Sequence, residues 1–222
     1  MTDPLANPVW SALTGPHAGF ADRVGGAARY PADVAPFVAV ADANAWDDAA
    51  TLLGPGGRGG FAYAPGPLPD SWEVRQVFDV HQMIDAGVPA KEMPDAIRLI
   101  DADVPEMLDL IARTEPGPFQ RRTIDLGTYL GIRRDGRLVA MAGERLHPNG
   151  HTEISAVCTD PAYRGRGLAG GLVCAVAAVI AARGDIPFLH VSASNTTAIR
   201  LYEQLGFRIN RTMEFVIATA PL

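Results

Sequence analysis

The sequence is short of several features that would name a mechanism outright. Its 222 residues include only two cysteines, Cys158 and Cys174, and 7% aromatic side chains. Two cysteines in apolar surroundings, with no C-x-x-C pair and no clustered histidines, argue against a disulfide framework and a zinc site; no metal site is expected. Reduced, buried thiols are the pattern of a cytoplasmic protein. Long apolar runs are missing too: the longest, LAGGLVCAVAAVIAA, spans Leu168–Ala182. It falls below the ~18–20 residues that cross a bilayer, so it reads as a buried helix and no membrane partner is expected. The opening MTDPLANPVW has neither the basic nor the apolar region of a signal peptide. Basic charge is scarce: the net charge is −6 at pH 7, which leaves no footprint for a phosphate backbone and no expectation of a nucleic-acid partner. The deficit is uneven. Residues 1–95 carry twelve acidic and five basic side chains, residues 96–222 thirteen and fourteen.

Glycine and proline are plentiful, and mostly early. TLLGPGGRGGFAYAPGPLPDSW has so many breakers that little regular structure is expected between Gly54 and Pro69, and GPGGRGG reads as a turn because no helical pattern follows it. PFVAVAD and WEVRQVFDV read as short strands. The texture changes near Pro94. AIRLI (96–100) reads as a strand and DADVPEMLDLIAR as a helix. TEPGPFQRRTIDLG reads as a loop with one helical turn. TYLGIRRDGRLVAMAGERL reads as a hairpin turning at Asp135-Gly136. HTEISAVCTD is a strand, and the apolar run is a helix stopped by Arg183-Gly184. IPFLHVSAS is a strand, NTTAIRLYEQLGF a helix between Asn195 and Gly206, and FRINRTMEFVIA a final strand or pair. Two parts follow, 1–95 and 96–222.

The stretch YRGRGLAGGL decides the function class. Gly165, Gly167 and Gly170 spell the G-x-G-x-x-G of a dinucleotide-binding fold. Three observations oppose that reading. DPAYR separates the preceding strand from Gly165. Asp185, at the right distance for a ribose contact, lies before the next strand rather than at its end. Too little chain remains for further βαβ units, and the upstream strands join by hairpins. The alternative is an anion cradle: glycines let the backbone approach closely at the start of a long helix, with successive amides aimed at one spot.

The sequence resembles the GNAT superfamily of acyl-CoA-dependent N-acetyltransferases. Arg164, Gly167 and Ala169 match its [Q/R]-x-x-G-x-[G/A] loop. Asn195, Ala198, Leu201, Tyr202, Gly206 and Phe207 match its N-x-x-A-x-x-L-Y-x-x-x-G-F segment. The resemblance covers about 96–222. It implies an α/β (α+β) fold with a mixed, mostly antiparallel twisted sheet flanked by helices. The first 95 residues look like the partial or degenerate N-terminal half of two-part relatives of glycine N-acyltransferases. Acetyl-CoA is the implied cosubstrate, held by the backbone of Val157, Cys158 and Thr159, by the loop Arg164, Gly165, Arg166, Gly167, Leu168 and Ala169, and by Asn195 and Tyr202. The strand carrying Val157–Thr159 is expected to splay from its neighbour.

Acetylation of a small-molecule or amino-acid amine needs a base for the amine proton and is helped by an acid at the leaving thiolate. The resemblance implies Glu153 as base, with Glu144 in reserve, and Tyr202 as acid. Strand alternation puts Glu153, Ser155 and Val157 on one face. Cys158 reads as a core residue rather than a nucleophile. His147 and His151 read as turn residues. The acceptor pocket is expected to involve Thr114–Gly127 and the first part of the chain. The alternative function is a non-catalytic acyl-CoA sensor.

Overall fold

The computed structural model describes residues 3–62 and 68–222. The first part contributes α1 (Pro8–Leu13), the short strands β1 (Asp22–Val24), β2 (Ala27–Arg29) and β3 (Val38–Val40), α2 (Trp46–Leu53), β4 (Arg58–Phe61) and β5 (Glu73–Asp85). Then come β6 (Ile97–Arg98), α3 (Val104–Thr114), β7 (Tyr129–Arg134), β8 (Arg137–Glu144), β9 (His151–Thr159), α4 (Leu168–Ala182), β10 (Ile186–Ser192), α5 (Thr196–Leu205) and β11 (Phe207–Thr219). Strands β1–β3 form a small antiparallel sheet. The other eight form one mixed sheet in the order β4-β11-β5-β10-β9-β8-β7-β6, antiparallel at every step except β10–β9.

Local chemistry explains the elements read from sequence. Asp135 and Gly136 both take positive φ, 50° and 78°, which closes the β7–β8 hairpin tightly. Helix α4 ends at Arg183 with Gly184 at φ 85°. The Asn195 side chain accepts from the Ala198 amide at 3.1 Å to cap α5. Gly206 closes α5 at φ 101°, where a Cβ would also meet the Gly87 backbone at 2.9 Å.

Two expectations need correction. The turn expected over Gly54–Gly60 gives way at Arg58, where β4 begins. Gly59 and Gly60 are there because neighbours press on them: a Cβ would meet Val38 at 2.6 Å and Phe215 at 2.8 Å. Residues 63–67 of the same breaker-rich stretch lie outside the described residues. The part boundary near residue 95 does not divide the sheet. β5, from the first part, lies between β11 and β10, and β4 flanks β11 on its other side. The final segment is one 13-residue strand, not a pair.

The sheet has two covered faces. On one, Leu172, Val173, Val176 and Ile180 of α4 pack on Val139, Ala142, Ile154, Leu189 and Val191. On the other, α3 covers β7–β9 through Met107, Leu110, Tyr129, Met141 and Cys158. There the first part covers Leu146 and Phe188 with Leu5, Val9, Leu13, Tyr30 and Phe37. Each fully buried side chain of this size stabilises the fold by roughly 1.5–3 kcal/mol. The gap between those two covers leads to the site. Among the described residues no helix is long and apolar enough to cross a membrane.

Candidate active site

Strands β9 and β10 run together only from His151↔Ile186 to Ile154↔Leu189, then part. A bulge in β9 drives the divergence. Between the pairs Gly143↔Ser155 and Met141↔Cys158 the register slips, and Ala156 sits at φ 52°. The bulge also breaks the expected alternation. Ala156 and Cys158 pack with α3, whereas Val157 packs with the α4 core, opposite the face on which Glu153 meets Arg145. The opening between the strands is a cleft of about 1010 Å³, large enough for a cofactor-sized ligand.

One end of the cleft is backbone. Arg164, Gly165, Gly167, Leu168 and Ala169 line it, with Val157, Cys158 and Thr159 beside them. Gly165 and Gly167 adopt φ 74° and 75°, with open space where a Cβ would stand. Gly167 is the N-cap of α4, so among the described residues no side chain caps the helix, and its first turn holds no acidic residue. Those amides are free for an external anion. The buried Thr159 hydroxyl lacks a hydrogen-bond partner among the described residues, an orphan that a polar ligand would satisfy. Arg113 of α3 pairs with Asp160, anchoring α3 and the loop after it over the strand end. Arg166 stands apart from the other expected cofactor contacts: its guanidinium lies 4.9 Å over the Tyr163 ring and it does not line the cleft.

Asn195 and Tyr202 both line the cleft from α5. Burial, and secondarily Cys158, pushes the Tyr202 hydroxyl up to about 12, and among the described residues it has no hydrogen-bond partner. It is therefore a protonated hydroxyl at neutral pH. Burial pushes the Cys158 thiol up to about 11, which leaves it a thiol near neutral pH and a poor nucleophile.

The base role expected of Glu153 does not fit its surroundings. The side chain is fully buried. Its oxygens take Arg145 Nε at 2.9 Å and Nη2 at 2.7 Å, His190 Nδ1 at 2.7 Å and the Leu146 amide at 3.2 Å. Burial alone would raise its pKa, but Arg145 and then His190 outweigh it and hold the carboxyl well below the usual range. A carboxylate so satisfied is a poor proton acceptor. Glu144 is no substitute: it accepts from Arg183 at 2.9 Å and the Thr128 amide at 3.0 Å, and it lies outside the cleft.

Residues not singled out in the sequence furnish the second end of the cleft. Arg145 and His190 line it, with Val9, Phe37, Ala62, Val80 and Phe215 as walls. Of the loop expected at the acceptor side, Thr114–Pro118 reaches the cleft and the remainder does not. A histidine in the apolar string IPFLHVSAS was the available signal for His190. Its partner Glu153, on the neighbouring parallel strand β9, was not readable, because no local pattern records that register.

Comparisons with known proteins agree with this geometry. The family described as FR47-like protein matches residues 129–216. A solved structure described as a putative acetyltransferase from the GNAT family, from Novosphingobium aromaticivorans, is 42% identical and superposes with a TM-score of 0.92 over 99% of this chain and 100% of its own. The chain belongs to the GNAT family. A GCN5-related N-acetyltransferase-like protein from Streptococcus suis, 18% identical, shares the GNAT fold over 96% of this chain and 92% of its own at a TM-score of 0.54. The mycothiol acetyltransferase of Thermobispora bispora is 28% identical over 196 residues, 71% of this GNAT chain and 65% of its own length. The N-alpha-acetyltransferase RimI of Mycobacterium tuberculosis is 37% identical over 83 residues, 36% of this chain and 51% of its own. The chain thus spans less than two thirds of these two curated relatives.

Proposed function

We propose that the chain transfers an acetyl group from acetyl-CoA to a primary amine of a small molecule or amino acid. The observation that carries this reading is the splay of β9 from β10 beside the uncapped N-terminus of α4. The splay leaves strand edge free to pair with an extended amide-bearing arm, and the helix start offers amides to its pyrophosphate. Acetyl-CoA supplies the activated acyl group. Tyr202, kept protonated by burial, protonates the departing thiolate.

The proton of the attacking amine goes to His190, directly or through water. His190 lines the cleft, and Glu153 accepts from its Nδ1, which leaves the lone pair on Nε2. Gln82 Nε2 approaches that atom at 3.3 Å, a long contact that an amine or water displaces. Glu153 is then a positioning residue, acting through His190. The first 95 residues serve in this reading as the acceptor-side wall rather than as a degenerate second GNAT half.

Names of relatives favour an amine acceptor: a mycothiol acetyltransferase and an N-alpha-acetyltransferase are among the similar proteins. Calorimetry with acetyl-CoA, followed by thiol release across an amine panel, is the test. Binding with no release for any amine would replace the enzyme by an acyl-CoA sensor. No binding would remove both. If His190 and Glu153 act as a unit, His190→Gln and the double variant His190→Gln/Glu153→Gln lose similar turnover. Additive losses would separate them.

A further inference from the structure

The second end of the cleft holds a cation that is only partly used. The Arg145 side chain is 11% exposed. Its Cζ lies 4.9 Å from the centroid of the Phe37 ring. Nε and Nη2 both donate to Glu153. Nη1 carries no hydrogen bond among the described residues, although Arg145 lines the cleft with Val9, Phe37, Val80 and Phe215. Nη1 is not one of the buried unpaired polar atoms, so it opens onto the cleft, where water serves it until a ligand oxygen takes that place.

Charge balance says which oxygen. Glu153 already matches the Arg145 charge. The other arginines lining the cleft, Arg164 and Arg200, belong to its α4–α5 end. A ligand carboxylate beside Arg145 would be a desolvated charge with no free counter-ion, whereas a neutral carbonyl accepts from Nη1 without that cost. Spacing adds a second constraint. Arg145 Nη2 and His190 Nδ1 both lie 2.7 Å from one atom, Glu153 Oε1. The group that receives the amine proton and the group that reads the oxygen are therefore anchored side by side.

We propose that this end is a subsite for an α-amino amide: the neutral carbonyl oxygen rests on Arg145 Nη1, and an apolar side group lies against Phe37, Val80 and Phe215. The proposal deepens the acetyl-transfer reading and rests on it for the identity of the reacting amine. L-phenylalaninamide, 2-phenylethylamine and L-phenylalanine are the probes in a thiol-release assay with acetyl-CoA. The amide should exceed phenylethylamine in kcat/KM by roughly tenfold or more, the worth of one charge-assisted hydrogen bond. The free acid should fall below the amide. In Arg145→Met/Glu153→Gln, which removes the pair together and leaves no orphaned charge, the amide-to-phenylethylamine ratio should drop to within about twofold.

Calorimetry without turnover separates this from the reaction itself. With CoA present, N-acetyl-L-phenylalaninamide should bind roughly tenfold tighter than N-acetyl-2-phenylethylamine. Equal binding of the two overturns the subsite, whether or not any amine is acetylated. A free acid that outperforms the amide overturns the neutral-carbonyl assignment. Preference for the amide product with no acetylation of any amine retains the subsite and removes the acetyl-transfer reading.

Discussion

The two ends of the cleft are built on opposite principles. The α4 end is backbone: Gly165 and Gly167 hold positive φ, with open space around both. The Arg145 end is side chain, with Arg145, Glu153 and His190 hydrogen-bonded in series and Glu153 fully buried. A backbone cradle tolerates changes of side chain but not of conformation. A buried ionic chain tolerates neither the loss of a partner nor exposure. One end is suited to holding a constant ligand, the other to selecting a variable one.

The largest expected effect strikes the side-chain end. Arg145→Ala leaves Glu153 as a buried charge held by His190 and one backbone amide. Breaking such a pair costs ~3–5 kcal/mol, or roughly 6–20 °C of melting temperature in a chain of this size. Differential scanning calorimetry reads it; a shift under about 2 °C would mean that the network adds nothing to stability.

Gly167→Glu attacks the other end. It imposes a side chain at φ 75° and sets a negative charge at the helix start. Affinity for acetyl-CoA should fall roughly 100-fold, about 3 kcal/mol. Unchanged affinity in a folded variant would remove the cradle from the proposed cofactor site.

Tyr202→Phe probes the junction between the ends. It keeps the ring that packs on Phe207 and deletes a hydroxyl that has no partner among the described residues. Stability should hardly move, while turnover should fall roughly 100-fold, the lower end for acid–base groups. Lost stability with normal turnover would make the tyrosine structural.

The smallest effect is a proton effect beneath the side-chain end. His17 is buried against Tyr30, and burial, helped by His147, lowers its pKa to about 4. The unfolded chain, near 6.5, binds the proton first, so stability falls as pH drops from 6.5 towards 4. Between pH 7 and 5.5 the loss should be about 1 kcal/mol. Urea unfolding at both values should show it in the parent and not in His17→Gln. An equal loss in both would move its origin elsewhere.

The contrast between the ends also explains what the sequence disclosed. The cradle was legible because it depends on glycines at fixed spacing before one apolar run. Likewise Asp135-Gly136, Asn195 and Gly206 announced turns and caps through local chemistry alone. The Arg145–Glu153–His190 chain was not legible, since it joins the end of β8 to two parallel strands whose register no local pattern records. For that reason the surroundings of Glu153 were not foreseen: the carboxylate was visible, its three partners were not. β4 was hidden by glycines that read as breakers but serve as contact points. The bulge at Ala156 moved Val157 to the opposite face, which alternation cannot anticipate.

The insertion of β5 also fixes the order in which the sheet can be completed. Both neighbours of β11 come from the first part, and Glu73 pairs with Thr219, far along the sequence. During synthesis β5 emerges long before β10 and β11, so both its edges wait unpaired until residues 186–219 are out. Contacts of such long sequence separation slow folding, and waiting strand edges invite intermolecular pairing. Val74 and Val77, half exposed even in the finished sheet, lie on that waiting strand. A chain cut at residue 95 would leave β10 and β11 without the strand that joins them.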